Sequence, residues 1–242
     1  MFAVPDEVES LEQTLMKLPE MDRPTVRQLS LSLPGLVPSR LPRSEAAVIA
    51  TEIRDLGVDA TAIPVSDIPD ISHAEAVHHL KVMESSLEAI DFREESRTWK
   101  GDQIALLSVG VVPSSAPRVH RTPPAVAMSS SRRSWNDGLD VTARKRPEAW
   151  VILDDGLALQ LASDEMNYEY LANRLCGSST ANFTALIRDL QELAPQAWIT
   201  PSTRSFLDHA PQRHYEFRTH EEFQRYTQFH TLLKGRAGCQ NR

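Results

Sequence analysis

The sequence predicts an α+β protein built as two small α+β units, an N-terminal strand-helix-strand followed by further strands and a C-terminal hairpin plus helices. A flexible Pro/Ser/Arg-rich segment joins them. Three observations carry that expectation. Apolar residues recur at helical spacing in some windows and alternate in others. Residues 114–147 hold no sustained period. The chain of 242 residues, 41% hydrophobic and 24% charged, is long enough to bury one large core or two ordinary ones. The boundaries that follow are an N-terminal helix and linker over 1–25, an α+β domain over 26–113, the linker over 114–147, a second α+β domain over 148–235, and a flexible tail over 236–242.

Taken in order, residues 6–18 read as a short amphipathic helix with Val8, Leu11, Leu15 and Leu18 on one face. Asp6 and Glu9 are spaced as a capping box, and Pro19 ends the helix. Such a helix either packs on its own domain, the preferred reading, or docks on a partner. "VRQLSLSLPGL" alternates Leu29, Leu31 and Leu33 with polar residues, the period of a half-buried strand. "RSEAAVIATEIRDLG" is a helix with Ser44 as cap, Ala46, Ile49, Ile53 and Leu56 on one face and Gly57 as its left-handed stop. "VDATAIPV" returns as a strand. The Pro-Gly-Leu turn between the first strand and the helix lacks the repeated glycines of a dinucleotide loop, and no Lys-Ser or Lys-Thr pair opens the helix.

Residues 72–92 fit two patterns. Ser72 with Glu75 makes a capping box ahead of Val77, Leu80, Met83, Leu87 and Ile90 at helical spacing. Ala76, His78, Leu80 and Val82 also alternate, and "LEAIDF" can pair back across Ser85 and Ser86 as a meander, the reading adopted here. "IALLSVGVV", Ile104 to Val112, is a buried strand. Over 114–147, four prolines, a serine run and scattered arginines leave too little apolar surface to offset the entropy of ordering the backbone. "EAWVILDDGLALQLAS" is a hairpin turning at Asp154-Asp155-Gly156. "DEMNYEYLANRL" is a short helix. Phe183, Leu186, Ile187, Leu190 and Leu193 mark one face of a longer helix over 179–193. "QAWIT" and "RHYEFR" are short strands around a helical turn begun by Pro201. A last helix opens with a Thr219–Glu222 capping box and carries Phe223, Tyr226, Phe229 or His230, and Leu233.

The net charge of −7 is unevenly spread: −4 over residues 1–25, −5 over 26–112, +4 over 113–148 and −2 over 149–242. The acidic N-terminus has neither the positive charge nor the apolar run of an export signal, and no window approaches the ~20 apolar residues of a membrane helix. The two cysteines, Cys176 and Cys239, lie in unlike settings and suggest no disulfide framework. A cytoplasmic protein without membrane attachment is expected.

Candidate chemistry gathers first at "CGSSTANF". Ser178, Ser179 and Thr180 can hold an anion on free N–H groups at the helix start, although serine and threonine are also the ordinary caps of helices. Cys176 stands where a helix dipole favours a thiolate, yet Asn182 occupies the place where a phosphatase loop would have arginine, and a histidine would have to come from His209, His214 or His220. Gly177-Ser178-Ser179 is not a nucleophile elbow. His73, His78 and His79 lack the spacing of zinc ligands, so neither metal nor cofactor is expected. Asp154 and Asp155 are turn residues before they are paired carboxylates. Arg132, Arg133, Trp135 and the run Arg144-Lys145-Arg146 form a basic tether for which an acidic partner fits better than nucleic acid. The function expected is a non-enzymatic interaction or regulatory protein with protein partners. The alternative is a hydrolase or transferase for a small anionic substrate, with its site at the start of the 179–193 helix.

Overall fold

Seven strands pair into one mixed sheet in the computed structural model, which describes residues 8–31, 35–37, 41–91, 95–114 and 144–240. The ambiguous stretch 72–92 forms two strands, β1 (Glu75–Val82) and β2 (Ser86–Asp91), paired antiparallel. Ser72 caps no helix; its N–H and hydroxyl both donate to Asp70, whose carboxyl is thereby held below the ordinary range. Next come β3 (Ser96–Lys100), β4 (Ile104–Pro113), β5 (Lys145–Leu153), β6 (Ala158–Ala162) and the two-residue β7 (Trp198–Ile199). The order across the sheet is β3-β2-β1-β6-β5-β4-β7, with β1–β6 and β4–β7 parallel and the other pairs antiparallel.

The central strands are buried on both faces, which is why "IALLSVGVV" reads as a continuous apolar run and not as an alternation. One face is covered by α4 (Ser179–Leu193), whose Phe183, Leu186, Ile187 and Leu190 join Leu107, Val109, Val151, Leu159 and Leu161 in the main core. The helix α5 (Pro201–Leu207) adds Phe206, with Thr200 as its cap and Pro201 in its first turn. On the opposite face Gly110 leaves room for two rings: a Cβ there would meet Phe217 and Phe223 at 2.7–2.9 Å. Phe223 stands edge-on to Trp150, with centroids 6.4 Å apart.

Several local expectations hold. The β5–β6 hairpin turns on Gly156 at φ +88°, with Asp155 accepting from the Leu157 N–H. Thr219 caps α6 (His220–Gln240) by accepting from the Glu222 N–H at 3.1 Å. The segment 169–174 is a 3-10 turn and not an α-helix, tied to α4 because Tyr170 and Arg174 both donate to Asp189. "RHYEFR" is not a strand of its own. Its residues 215–217 bracket Val111, which donates to Tyr215 O and accepts from the Phe217 N–H, and so continue the β4 edge beyond β7.

The expected strand-helix-strand near the N-terminus is corrected: this region is helical. The helices are α1 (Val8–Leu15), α2 (Arg23–Leu31) and α3 (Arg43–Asp55). The alternation of Leu29, Leu31 and Leu33 loses to a local start signal, because Asp22 accepts from the Thr25 N–H at 2.9 Å and Val26 and Leu29 recur three apart on a buried face. Leu33 and Asp6 lie outside the described residues. Ser44 is not the cap of α3, which begins one residue earlier after Pro42. Gly57 does stop that helix, at φ +80°. Residues 58–64 form no strand and lead into a 3-10 turn over Val65–Asp67. Leu11, Leu15, Leu18 and Val26 form a core of their own with Ile49, Ile53 and Leu56 packed on it.

The chain divides into two compact units, residues 1–73 with 224–242 and residues 74–223, each considered separately. The expected halves are therefore not separate sheets: strands from both sides of 114–147 share one, and residues 145–147 of that segment belong to β5. The rest of it, 115–143, lies outside the described residues, and residues 236–240, expected as tail, continue α6.

Candidate functional site

At the start of α4 the hydroxyl of Ser178 accepts from the Ala181 N–H at 3.3 Å, an ordinary N-cap. Ser179 and Thr180 are exposed in the first turn. Asn182 faces back and clamps the main chain of Cys176, accepting its N–H at 2.9 Å and donating to its carbonyl at 2.8 Å. The Cys176 thiol is exposed and lies 3.2 Å from Asn182 Oδ1 and 3.7 Å from Ser178 O. Two of the three histidines named as partners for this thiol are engaged elsewhere: His209 Nε2 is 3.4 Å from Arg188, and His220 Nδ1 is 3.4 Å from Glu148. The residue that would have been arginine in a phosphatase loop is thus a structural clamp.

The other sequence candidates are dispersed. His78 and His79 sit at a bulge in β1 between Val77 and Leu80, both of which enter the main core, so alternation does not separate the two rings, and His73 precedes the strand. Among the described residues no group of three or more His, Cys, Asp or Glu side chains could hold a metal ion. Two residues of the basic run are held by carboxylates, Lys145 by Glu216 and Arg146 by Asp164 at 2.9 Å and by Glu165, while Arg144 is exposed. Arg132, Arg133 and Trp135 lie outside the described residues.

Sequence reasoning missed a buried polar cluster on β5. Glu148 is wholly buried, and its Oε1 accepts from Trp150 Nε1 and Gln160 Nε2, each at 2.9 Å. Arg146 Nη2 lies 3.9 Å from Glu148 Oε2, and among the described residues neither that oxygen nor Arg146 Nε has a hydrogen-bond partner. Burial works against the Arg146 charge, but its hydrogen bonds to Glu165 and Asp164 outweigh that and hold the guanidinium above its ordinary pKa. The signal available in the sequence was the alternation Arg146, Glu148, Trp150, which puts three polar-tipped side chains on one face of a strand. The arrangement joins β5, β6, the 164–165 turn and the start of α6, so its evident chemistry is to fix that face of the sheet.

The second feature missed is the sheet edge at β3. The Gly101 N–H donates to Ser85 O, and the Lys100 N–H donates instead to Gln103 Oε1 at 2.8 Å. With Leu87 opposite Trp99 and Ala89 opposite Arg97, the even residues Ser96, Thr98 and Lys100 therefore turn their main-chain N–H and C=O groups away from β2. The side chains of Ser96, Arg97, Thr98 and Lys100 are exposed and that of Trp99 is half-buried. Arg97 is held by Glu75 at 2.7 Å and lies 3.7 Å from Glu95. The opposite edge differs: β7 is two residues long and runs into Pro201.

Among the described residues no helix is long and apolar enough to cross a membrane. No family, no curated protein and no solved structure matches the chain.

Proposed function

We propose that this is a cytoplasmic, non-enzymatic interaction or regulatory protein that takes up a protein partner by strand addition at the β3 edge. One observation carries the reading: among the described residues, Ser96 and Thr98 present unpaired main-chain donors and acceptors on an exposed, five-residue edge strand. An open edge is a template for another strand, and natural sheets usually blunt one with charge, proline or a covering segment. Here Arg97 and Lys100 put charge on the edge and Gln103 caps the Lys100 N–H, but the main chain at Thr98 between them is left open among the described residues. An exposed free thiol at Cys176 suits a reducing compartment.

Thr98→Pro tests the reading. The Thr98 N–H faces away from β2, so proline there removes an outward donor without costing a bond inside the sheet. Affinity capture from the native cell should recover a partner with the wild-type chain and lose it with T98P, while the thermal midpoint stays within a degree or two. Equal recovery by both chains would count against strand addition at this edge.

A further inference from the structure

We infer that the strand received at this edge is β3 of a second copy of the same chain, paired antiparallel about a two-fold axis at Thr98. The inference rests on the strand-addition reading above and names its partner.

A two-fold axis across an antiparallel pair sets one residue opposite its own copy, so the sequence of β3 decides which pivot is tolerable. Pivoting on Arg97 or on Lys100 puts a cation opposite its copy, and like charges directly opposite are destabilising. Pivoting on Trp99 shortens the overlap within β3 to residues 98–100. Pivoting on Ser96 leaves Thr98 and Lys100 beyond the end of β3 in the copy. Thr98 is the centre of the strand and gives the full five-residue overlap.

In that register every pairing is compatible. Thr98 and its copy form the closely bonded type of pair, each donating its N–H to the other's carbonyl, and threonine opposite threonine is a favourable cross-strand match. Ser96 lies opposite Lys100 of the copy and donates to its carbonyl; the Lys100 N–H completes the return bond once Gln103 releases it. Arg97 lies opposite Trp99 of the copy, a cation facing an aromatic ring and not its like charge; its guanidinium, which pairs with Glu75 two strands in from the edge, turns from that carboxylate to reach the indole. The sheet would then run continuously through both copies.

The test uses the full chain. Sedimentation or light scattering over a concentration series should show the mass rising from 27.1 kDa toward twice that value. Thr98→Lys, which sets two cations face to face, and Thr98→Pro, which deletes the central donors, should each move the transition to about tenfold higher concentration or more, with the thermal midpoint unchanged when all chains are compared at concentrations where they are monomeric. Thr98→Cys, in a chain carrying Cys176→Ser and Cys239→Ser, should oxidise to a covalent dimer, because residues opposite in a bonded antiparallel pair lie about 5.5 Å apart at Cα, within disulfide reach. A chain that stays at 27.1 kDa throughout overturns the inference. So does a dimer indifferent to both T98K and T98P, because its interface is elsewhere. A monomer whose captured partner is lost with T98P overturns self-pairing and keeps strand addition; a monomer whose capture ignores T98P overturns both.

Discussion

His230 in α6 is 5% exposed, its Nδ1 has no hydrogen-bond partner, and burial pushes its pKa down to about 4 from an ordinary 6.5. The native state therefore holds a neutral imidazole where the unfolded chain binds a proton. Stability is unaffected above about pH 6.5 and is lost as pH falls from there toward 4, by roughly 3 kcal/mol over the window. Urea titrations at pH 7, 5.5 and 4.5 should show this slope in the wild type and a flatter one in His230→Leu; equal slopes would place the acid sensitivity elsewhere. Asp22, Asp70 and Glu216 also have lowered pKa values; their contribution is present above the ordinary carboxylate range and is lost as pH falls through it, so it enters at the acid end of this window and is shared by wild type and H230L. At the same scale a hydroxyl cap at the start of the 179–193 helix was legible, because a cap is a contact between a hydroxyl and an N–H three residues on, but which of Ser178, Ser179 and Thr180 supplies it was not. Asn182 was not, although it is only six residues from Cys176, because side-chain clamps on a loop main chain leave no period to read. Glu148 was hidden for a different reason: a charged residue is assigned to the surface until its burial partners are known.

Elements were legible where the signal is local. The 179–193 helix, the Asp-Gly hairpin, the Gly57 stop and the continuous apolar run of β4 each follow from spacing or turn chemistry within a few residues. The strand expected from Leu29, Leu31 and Leu33 failed because a short alternation competes with helical spacing in the same letters, and the Asp22 cap decided for the helix. Over residues 72–92 the alternation from Ala76 to Val82 reads correctly as a meander of two strands, whereas the parallel pairing of β1 with β6, some eighty residues away, is encoded by no local pattern. The N-terminal helix illustrates the energetic side. Leu11 and Leu15 are each 1% exposed in a core with Leu18 and Val26, so α1 holds its own unit together. Leu11→Ala should cost about 2–5 kcal/mol, and removing residues 8–18 should lower the midpoint by several degrees in calorimetry. A midpoint that did not move on deletion would show α1 to be a free docking helix instead.

At the scale of the whole molecule the difference lies in what residues 114–147 separate. Proline, serine and arginine content marks the segment but cannot say whether its ends part or meet. They meet: β4 and β5 pair from Ile104 opposite Leu153 to Pro113 opposite Lys145, the longest ladder of the sheet. Pairing of this kind does not need the covalent connection, since the apolar residues of both strands enter one core with α4. Residues 1–114 and 144–242, produced as two chains and mixed or co-expressed, should accordingly assemble one to one and regain the strand signal in circular dichroism and the cooperative melt of the intact protein. Each piece alone should fold poorly, because the first leaves β1 without β6 and the second leaves β5 without β4, with buried faces and edges open to aggregation. Two pieces that fold cooperatively by themselves and ignore each other would restore the picture of independent halves joined by a tether.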